Sequence, residues 1–246
     1  TRFWDQFAPT YGKINDALRP LHEQVVELWQ REGLINKDTH VLDIGCGPGT
    51  YGLPLAKLTA KVTALDEAPG MLATFMAQAE KDGMNNIEPV CLSWRPGLYH
   101  REFDFVLAAD SPAIVDWATL EAMHKASRGY CCLIYSMGGG PSFRNDLWQS
   151  VMGYPLTKSP FDLSYPFNLI YRAGYYPEVR FISFEYIYRE RPEIMFRNYQ
   201  TYMEIFGQRG PHVDGILKEK IKGRTVGGLF EEKVLRRLGI MWWSVD

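Results

Sequence analysis

Hydrophobic positions along the chain alternate between short apolar runs and helical periodicity. From residue 41 onward, seven apolar runs predict β-strands, at 41–44, 62–65, 87–92, 103–109, 130–136, 179–188 and 239–245. The clearest helical pattern spans 69–82 and is stopped by Gly83, and weaker ones lie at 50–58, 116–127, 142–152 and 165–173. The alternation predicts an α/β fold in three layers, a doubly wound, seven-stranded and mostly parallel sheet with helices on both faces.

The N-terminal segment precedes this alternation. Apolar residues at helical spacing, Leu21, Val25, Leu28 and Trp29, predict a helix that starts at Pro20, whereas residues 3–12 are aromatic but aperiodic. We therefore expect residues 1–35 to form an N-terminal helical lid segment and residues 36–246 to form the main domain.

The region before the last strand is unusually long. Residues 189–238 predict a helical insertion in the main domain, in which helical spacing joins Tyr199, Tyr202, Met203 and Phe206. This stripe either roofs an acceptor pocket or belongs to the core. The last two strands are expected to form an antiparallel edge, with Trp242 and Trp243 packing on an edge strand.

Composition narrows the class of protein. With 246 residues, of which 46% are apolar and 23% charged, the chain can bury a large core, which excludes intrinsic disorder. Lys and Arg total 27 against 29 for Asp and Glu, and no run of five like charges occurs. That balance argues against a broad phosphate-binding surface, so no nucleic-acid partner is expected.

Cysteine usage and hydropathy bear on the cellular setting. Cys46, Cys91, Cys131 and Cys132 lack C-x-x-C spacing, which favours reduced thiols. No stretch approaches the roughly 20 apolar residues of a membrane helix, and no signal-peptide pattern is visible at the N-terminus. We therefore expect a cytoplasmic protein without membrane association.

The most informative motif follows the first strand. Residues 41–50 combine a buried strand with a turn that holds Gly45, Gly47 and Gly49, and then open a helix. Glycines permit positive φ and close approach of the backbone to a ligand. Twenty-one residues after Gly45, the second strand ends in Asp66, whose carboxylate can accept hydrogen bonds from both hydroxyls of a ribose. Together they predict a nucleoside-bearing ligand; the alternative is a tight strand-to-helix connection without a ligand.

Details of the turn bear on which nucleoside it binds. A dinucleotide fingerprint needs Gly or Ala where this chain has Thr50, and the third glycine comes one position early at Gly49. Asp43 just before the turn repels a pyrophosphate and favours a cationic ligand portion. This Asp-x-Gly-x-Gly-x-Gly motif, with Asp66 after the next strand, resembles the class I (Rossmann-like) S-adenosylmethionine-dependent methyltransferases of the small-molecule type, and the resemblance covers residue 3 to the end.

The resemblance implies S-adenosylmethionine as cofactor and a set of residues around it. Positions matching the family would line the methionine part of the donor (Asp43, Gly45, Gly47), hold its ribose (Asp66) and lie near its adenine (Glu67, Met71). The full set of expected cofactor-binding residues is Tyr11, Asp43, Gly45, Cys46, Gly47, Asp66, Glu67, Met71, Ser93, Trp94 and Ala109.

Three of these positions depart from the family or have a competing explanation. Where the family often carries an acidic residue after the third strand, this chain has Ser93 and Trp94, which can hydrogen-bond to and stack on the adenine. Tyr11 resembles a tyrosine that many small-molecule methyltransferases fold over the donor; alternatively it anchors a loose terminus.

Asp110, after the fourth strand, is the candidate catalytic residue, because it can orient the acceptor or accept its proton; alternatively it is a turn or helix-capping carboxylate. Residues 110–113 lack the second proline and the aromatic residue of methyltransferases that act on amino groups of bases, which disfavours that subclass.

The sequence therefore predicts an enzyme that moves a methyl group from S-adenosylmethionine to a small-molecule acceptor by in-line displacement. The alternatives are a nicotinamide-dependent oxidoreductase, disfavoured by Thr50 and Asp43, and a non-catalytic S-adenosylmethionine-binding protein. The five histidines show no metal-ligand spacing, so no metal site is expected.

Overall fold

The computed structural model describes the backbone of residues 2–139, 142–156 and 163–246, and the side chains of these residues except 2–14, 16, 17, 138 and 139. The helices in these ranges are α1 (Arg2–Arg31), α2 (Gly52–Ala56), α3 (Pro69–Lys81), α4 (Trp117–Ala126), α5 (Ser142–Met152), α6 (Ser164–Arg172), α7 (Pro192–Ile205) and α8 (Pro211–Lys222). The strands are β1 (His40–Ile44), β2 (Lys61–Asp66), β3 (Ile87–Cys91), β4 (Phe103–Ala109), β5 (Ser127–Gly139), β6 (Glu178–Glu190), β7 (Thr225–Val226) and β8 (Leu229–Ser244).

The strands form one sheet in the order β3-β2-β1-β4-β5-β8-β6, and the short β7 pairs antiparallel with β8. β1 pairs in parallel with β2 and β4, as do β2 with β3 and β4 with β5, so the predicted α/β fold is confirmed. Central strands are covered on both faces, which explains their continuous apolar runs. The chain order reverses between β1 and β4, and ligands bind at the carboxyl ends of the strands beside such a reversal.

The last two predicted strands, β6 and β8, are neighbours at one end of the sheet, but the prediction that Trp242 and Trp243 pack on an edge strand is wrong. β8 lies between β5 and β6, and Trp242 and Trp243 are buried, with 3% and 1% of their surface exposed. Neighbouring residues of a strand point to opposite faces, so burial of both side chains means that this part of β8 is covered on both faces.

Helix α1 is longer than predicted. It includes the aperiodic residues 3–12, and Pro20 lies inside the helix rather than at its start. A proline in a helix interior removes one backbone donor and costs about 3 kcal/mol. Tertiary packing offsets this cost here, because Val25 and Trp29 are fully buried and the Trp29 ring lies 5.1 Å from that of Phe105. The predicted helix start at Pro20 is therefore wrong, although the predicted apolar face is buried.

The segment predicted as a helical insertion, 189–238, is only partly helical. α7 and α8 account for its first part, but β7 and the first ten residues of β8 are strand. Phe230, Glu232 and Val234 are buried while Lys233 between them is exposed, which is strand alternation. Because the buried position 232 holds a charged glutamate, the sequence does not show this alternation as a pattern of apolar and polar residues.

The chain divides into two compact units. One comprises Thr1–Tyr135, Phe161–Ile182 and Leu238–Asp246, and the other comprises Ser136–Pro160 and Ser183–Arg237. All the predicted site residues belong to the first unit. No helix within the described residues is both long enough and apolar enough to cross a membrane.

Candidate functional site

The turn after β1 is built from glycines in the left-handed region. The φ angles are 69° at Gly45, 55° at Gly47 and 87° at Gly49. The Gly45 N–H donates to the Leu65 carbonyl at 2.7 Å, which ties the turn to the end of β2. The turn therefore starts at the carboxyl edge of the sheet, where the reversal between β1 and β4 creates a crevice.

The three glycines differ in what surrounds them. A Cβ at Gly45 would lie 2.2 Å from Ser111 Oγ, and one at Gly49 would lie 2.4 Å from the Phe75 ring, whereas nothing lies within 4 Å of a Cβ at Gly47. A side chain at Gly45 or Gly49 would clash with its neighbours, so packing explains why these two positions hold glycine. Gly47 faces open space, which is the side of the turn that a ligand can approach.

Asp66 holds the turn in place. Its Oδ2 accepts the Gly47 N–H at 2.9 Å, and its Oδ1 accepts the Ala68 N–H at 2.9 Å before helix α3. The sequence predicted that this carboxylate binds a ribose but did not predict its hydrogen bond to the turn. Each carboxylate oxygen has two lone pairs, so both can accept a further hydrogen bond from a ligand.

Asp43 is a buried carboxyl group behind the turn. Only 2% of its surface is exposed, and within the described residues its buried Oδ2 has no hydrogen-bond partner. Burial, and secondly the negative charge of Asp66, raise the pKa of Asp43 to about 7. Burying a carboxylate without a partner is costly, so the site fits a ligand that brings a positive charge.

Cys46 and Met71 are two of the predicted cofactor-binding residues. Both are buried, and the Cys46 thiol lies 3.7 Å from the Gly47 carbonyl oxygen. Burial and then the charges of Asp43 and Asp66 raise the pKa of the Cys46 thiol well above its usual value, so this thiol stays protonated.

The residues predicted around adenine lie in two groups. Glu67 Oε2 accepts the Ser93 hydroxyl at 2.5 Å, and both side chains are exposed. Trp94 is buried instead, with its Nε1 donating to the Thr119 carbonyl at 3.2 Å and its ring stacked on Tyr99. The structure thus brings Glu67 and Ser93 together, and the adenine contacts themselves stay a prediction.

β4 ends in a strained corner at the same edge of the sheet as the glycine turn. Asp110, next to the half-buried Ala109, has a φ of 45°, and its N–H donates to the Ile134 carbonyl at 2.8 Å. A left-handed backbone at a non-glycine residue costs roughly 1–2 kcal/mol. The corner brings Ser111 against Gly45, a contact that the sequence analysis missed although Ser111 follows the strand at the reversal point.

Other predicted candidates fall elsewhere. The side chain of Tyr11 is outside the described part of the chain. In the second unit, Met203 is fully buried, and the ring of Tyr199 lies 4.8 Å from that of Phe143, so the apolar stripe of α7 contributes to a core. Phe206 continues it, with its ring 5.3 Å from that of Tyr202.

A groove of about 600 Å³ lies beside the turn, between α1, α2 and α3. Pro48, Gly49 and Thr50 contribute to its lining, and Gly47 and the two carboxylates do not.

The comparison with protein families decides what kind of site this is. Residues 41–129, which carry the glycine turn, Asp66 and the corner after β4, match the model of the methyltransferase domain family. The matched segment, which is less than half of the chain, is thus similar to methyltransferase domains. This match supports the predicted methyltransferase family, an enzyme of that class and S-adenosylmethionine as its cofactor.

The curated relatives with a named activity are methyltransferases, and their names give different acceptors. The chain is 39% identical over 54 residues to the 23S rRNA (uracil(1939)-C(5))-methyltransferase RlmD of Edwardsiella ictaluri, which is 22% of this chain and 12% of that protein. It is 47% identical over 45 residues to the ubiquinone biosynthesis O-methyltransferase of Methylocella silvestris, which is 18% of each. The chain thus spans less than a third of the length of the curated relatives that it matches.

Solved structures of low sequence identity share the fold of this chain. A putative sarcosine dimethylglycine methyltransferase from Galdieria sulphuraria superposes with a TM-score of 0.55 at 15% identity, over 94% of this chain and 87% of that one. Neither a nicotinamide-dependent oxidoreductase nor a non-catalytic binding protein finds support in these similarities.

Proposed function

We propose that this methyltransferase transfers the methyl group of S-adenosylmethionine to a small-molecule acceptor in the crevice at the carboxyl ends of β1 and β4. The observation that carries this proposal is the open space in front of Gly47, in a turn backed by the carboxyl groups of Asp43 and Asp66. A backbone that a ligand can approach closely, next to two acidic groups, suits a nucleoside with positive charge.

The residues of the turn would hold the donor. Asp43, Gly45, Cys46 and Gly47 would line its methionine part, while Asp66 would accept hydrogen bonds from its ribose. Around the adenine and the sulfur we place Glu67, Met71, Ser93, Trp94 and Ala109. The sulfonium of the donor supplies its own leaving group, so the protein has to align the acceptor with the methyl carbon and exclude water, which contributes on the order of 7–11 kcal/mol.

Asp110 is the proposed catalytic residue. Strained backbone conformations persist where the surrounding structure enforces them, and they concentrate at active sites. The left-handed backbone at Asp110 supports such a role, in which its carboxylate would orient an acceptor or take up its proton.

Replacing Asp110 by asparagine tests this role. Asparagine tolerates a left-handed backbone, so the corner should be retained while proton acceptance is lost. For an acceptor that loses a proton in the reaction, we expect turnover to fall by about 10²–10⁴-fold with unchanged donor affinity. Transfer of a tritiated methyl group measures the first quantity and calorimetry the second; unchanged turnover would remove Asp110 from the mechanism.

A small-molecule acceptor is supported by the charge balance of the chain and by the absence of an aromatic residue at 111–113 on which an extruded base could stack. The match to a ubiquinone biosynthesis O-methyltransferase agrees with it. RNA is the second candidate, favoured by the match to RlmD. Incubation with tritiated donor and either a small-metabolite extract or total RNA distinguishes the two by the fraction that becomes labelled.

The N-terminal region would close the donor site. In this proposal residues 1–35 form a lid, and Tyr11 lies over the donor. Residues 36–246 form the methyltransferase domain. We also expect the cytoplasm as its location, since all four cysteines are free thiols.

Replacing Asp66 by alanine should weaken binding of S-adenosylhomocysteine, the demethylated donor, by about 1.5–3 kcal/mol, because charge-assisted hydrogen bonds to the ribose are lost. The support of the Gly47 N–H is lost as well. Isothermal titration measures the affinity. As a control, Glu88→Ala removes an exposed carboxylate of the adjacent strand that pairs with Lys61, and it should leave affinity unchanged. Equal affinities for the two variants would exclude Asp66 from the site.

A further inference from the structure

Asp43 occupies an unusual place for a charged side chain. It lies in the central strand β1, with Ala64 of β2 and Leu107 of β4 as its neighbours in register. The surrounding strands are apolar and close to fully buried. A carboxyl group in such a position needs either a partner or a proton.

No partner for the buried oxygen is found within the described residues. Asp43 Oδ2 makes no hydrogen bond, and it lies 3.5 Å from the position that a Cβ on Gly52 of α2 would take. The Phe75 ring of α3 borders the same position and carries no charge.

The ionisable groups around Asp43 do not compensate a negative charge. Asp66, at the end of β2, has the same sign and raises the pKa of Asp43 further. Cys46, next to the turn, is neutral because its own pKa is raised. Burial and Asp66 together bring the pKa of Asp43 to about 7. Among the described residues, no cation contributes to this shift.

We propose that Asp43 carries a proton in the donor-free protein and loses it to solvent when the ammonium of the donor's amino-acid part binds. The carboxylic acid and the cationic ligand give a carboxylate–ammonium pair and one free proton, so charge and atoms balance. This inference rests on the proposed function, because it requires that the crevice binds S-adenosylmethionine.

Proton release makes donor affinity depend on pH with a definite sign. Below neutral pH the ligand competes with the proton on Asp43, so affinity falls by about tenfold for each pH unit well below the pKa. As pH rises past 7 the competition disappears. The coupling therefore weakens donor binding at acidic pH while leaving the cleft unchanged.

Isothermal titration at pH 6.5 in two buffers tests the proposal, because released protons add the ionisation heat of the buffer to the signal. Phosphate and imidazole differ strongly in this heat. For S-adenosylmethionine and S-adenosylhomocysteine we expect release of about three quarters of a proton, the protonated fraction of a group with a pKa near 7. 5′-Methylthioadenosine lacks the amino-acid part and should bind without release.

Two variants test whether Asp43 is the residue that releases the proton. Asp43→Asn should abolish the buffer dependence and lower the affinity for S-adenosylhomocysteine, whereas Glu121→Gln, which removes an exposed carboxylate of α4, should leave both unchanged. If Asp43→Asn fails to fold, infrared spectroscopy of the unaltered protein gives the answer: the band of a protonated carboxylic acid should disappear on saturation with S-adenosylhomocysteine.

The outcomes separate this inference from the proposed function. Absence of binding by either sulfur compound would overturn the proposed function. Binding with equal heats in both buffers, or equal proton release with 5′-methylthioadenosine, would overturn the role of Asp43 and leave methyl transfer intact.

Discussion

Replacing Asp43 by asparagine should make the stability of the donor-free protein less dependent on pH. In the folded protein the pKa of Asp43 is raised from 3.8 to about 7. The folded state therefore binds a proton more tightly than the unfolded chain, and stability is lost as pH rises from about 4 through 7. Above pH 7 the unaltered protein carries the full penalty, on the order of 4 kcal/mol, which the variant lacks.

Urea unfolding of both proteins at pH 4.5 and pH 8 measures this effect. The asparagine amide has its own cost at a buried site, but that cost is the same at both pH values. We therefore expect the difference in unfolding free energy to change in favour of the variant as pH rises. Parallel pH profiles would show that Asp43 is ionised without penalty.

Donor binding should reverse the difference in stability between the unaltered protein and the Asp43→Asn variant. With saturating S-adenosylhomocysteine at pH 8, the unaltered protein should gain stability and the Asp43→Asn variant should gain much less. The carboxyl group thus destabilises the empty fold and stabilises the complex, a combination expected of a residue kept for binding rather than for folding.

Gly47→Val should abolish donor binding while the protein remains folded. The side chain would fill the open space in front of the turn, and we expect a loss of at least about a hundredfold in affinity, or roughly 3 kcal/mol. The positive φ of 55° adds strain of about 1–2 kcal/mol. Titration with S-adenosylhomocysteine and thermal unfolding measure the two effects separately.

Two other glycines serve as matched controls. Gly83 follows α3, has a φ of 69° and also faces open space, so Gly83→Val should carry the same strain and keep donor affinity. At Gly49, a Cβ would lie 2.4 Å from the ring of the fully buried Phe75, so Gly49→Ala should lower stability instead. If Gly47→Val binds the donor as well as Gly83→Val does, the space in front of Gly47 is not the donor site.

Local patterns in the sequence were sufficient to predict the parallel half of the sheet and the similarity to methyltransferase domains. β1 and β4 are central strands, so most positions in them are apolar, and glycine or proline marks the ends of α3. The spacing from Gly45 to Asp66 reflects one strand-turn-helix-strand unit, whose length the fold constrains. Such features depend on neighbours along the chain and are therefore readable without a structure.

What the tertiary structure decided is everything that depends on residues distant in sequence. The position of β8 between β5 and β6, the continuation of α1 through Pro20 and the contact of Ser111 with Gly45 follow from packing between remote segments. The sequence by itself determined that an aspartate precedes the glycine turn. Only the folded chain surrounds that aspartate with apolar strands and another carboxylate, and this surrounding is what raises its pKa to about 7.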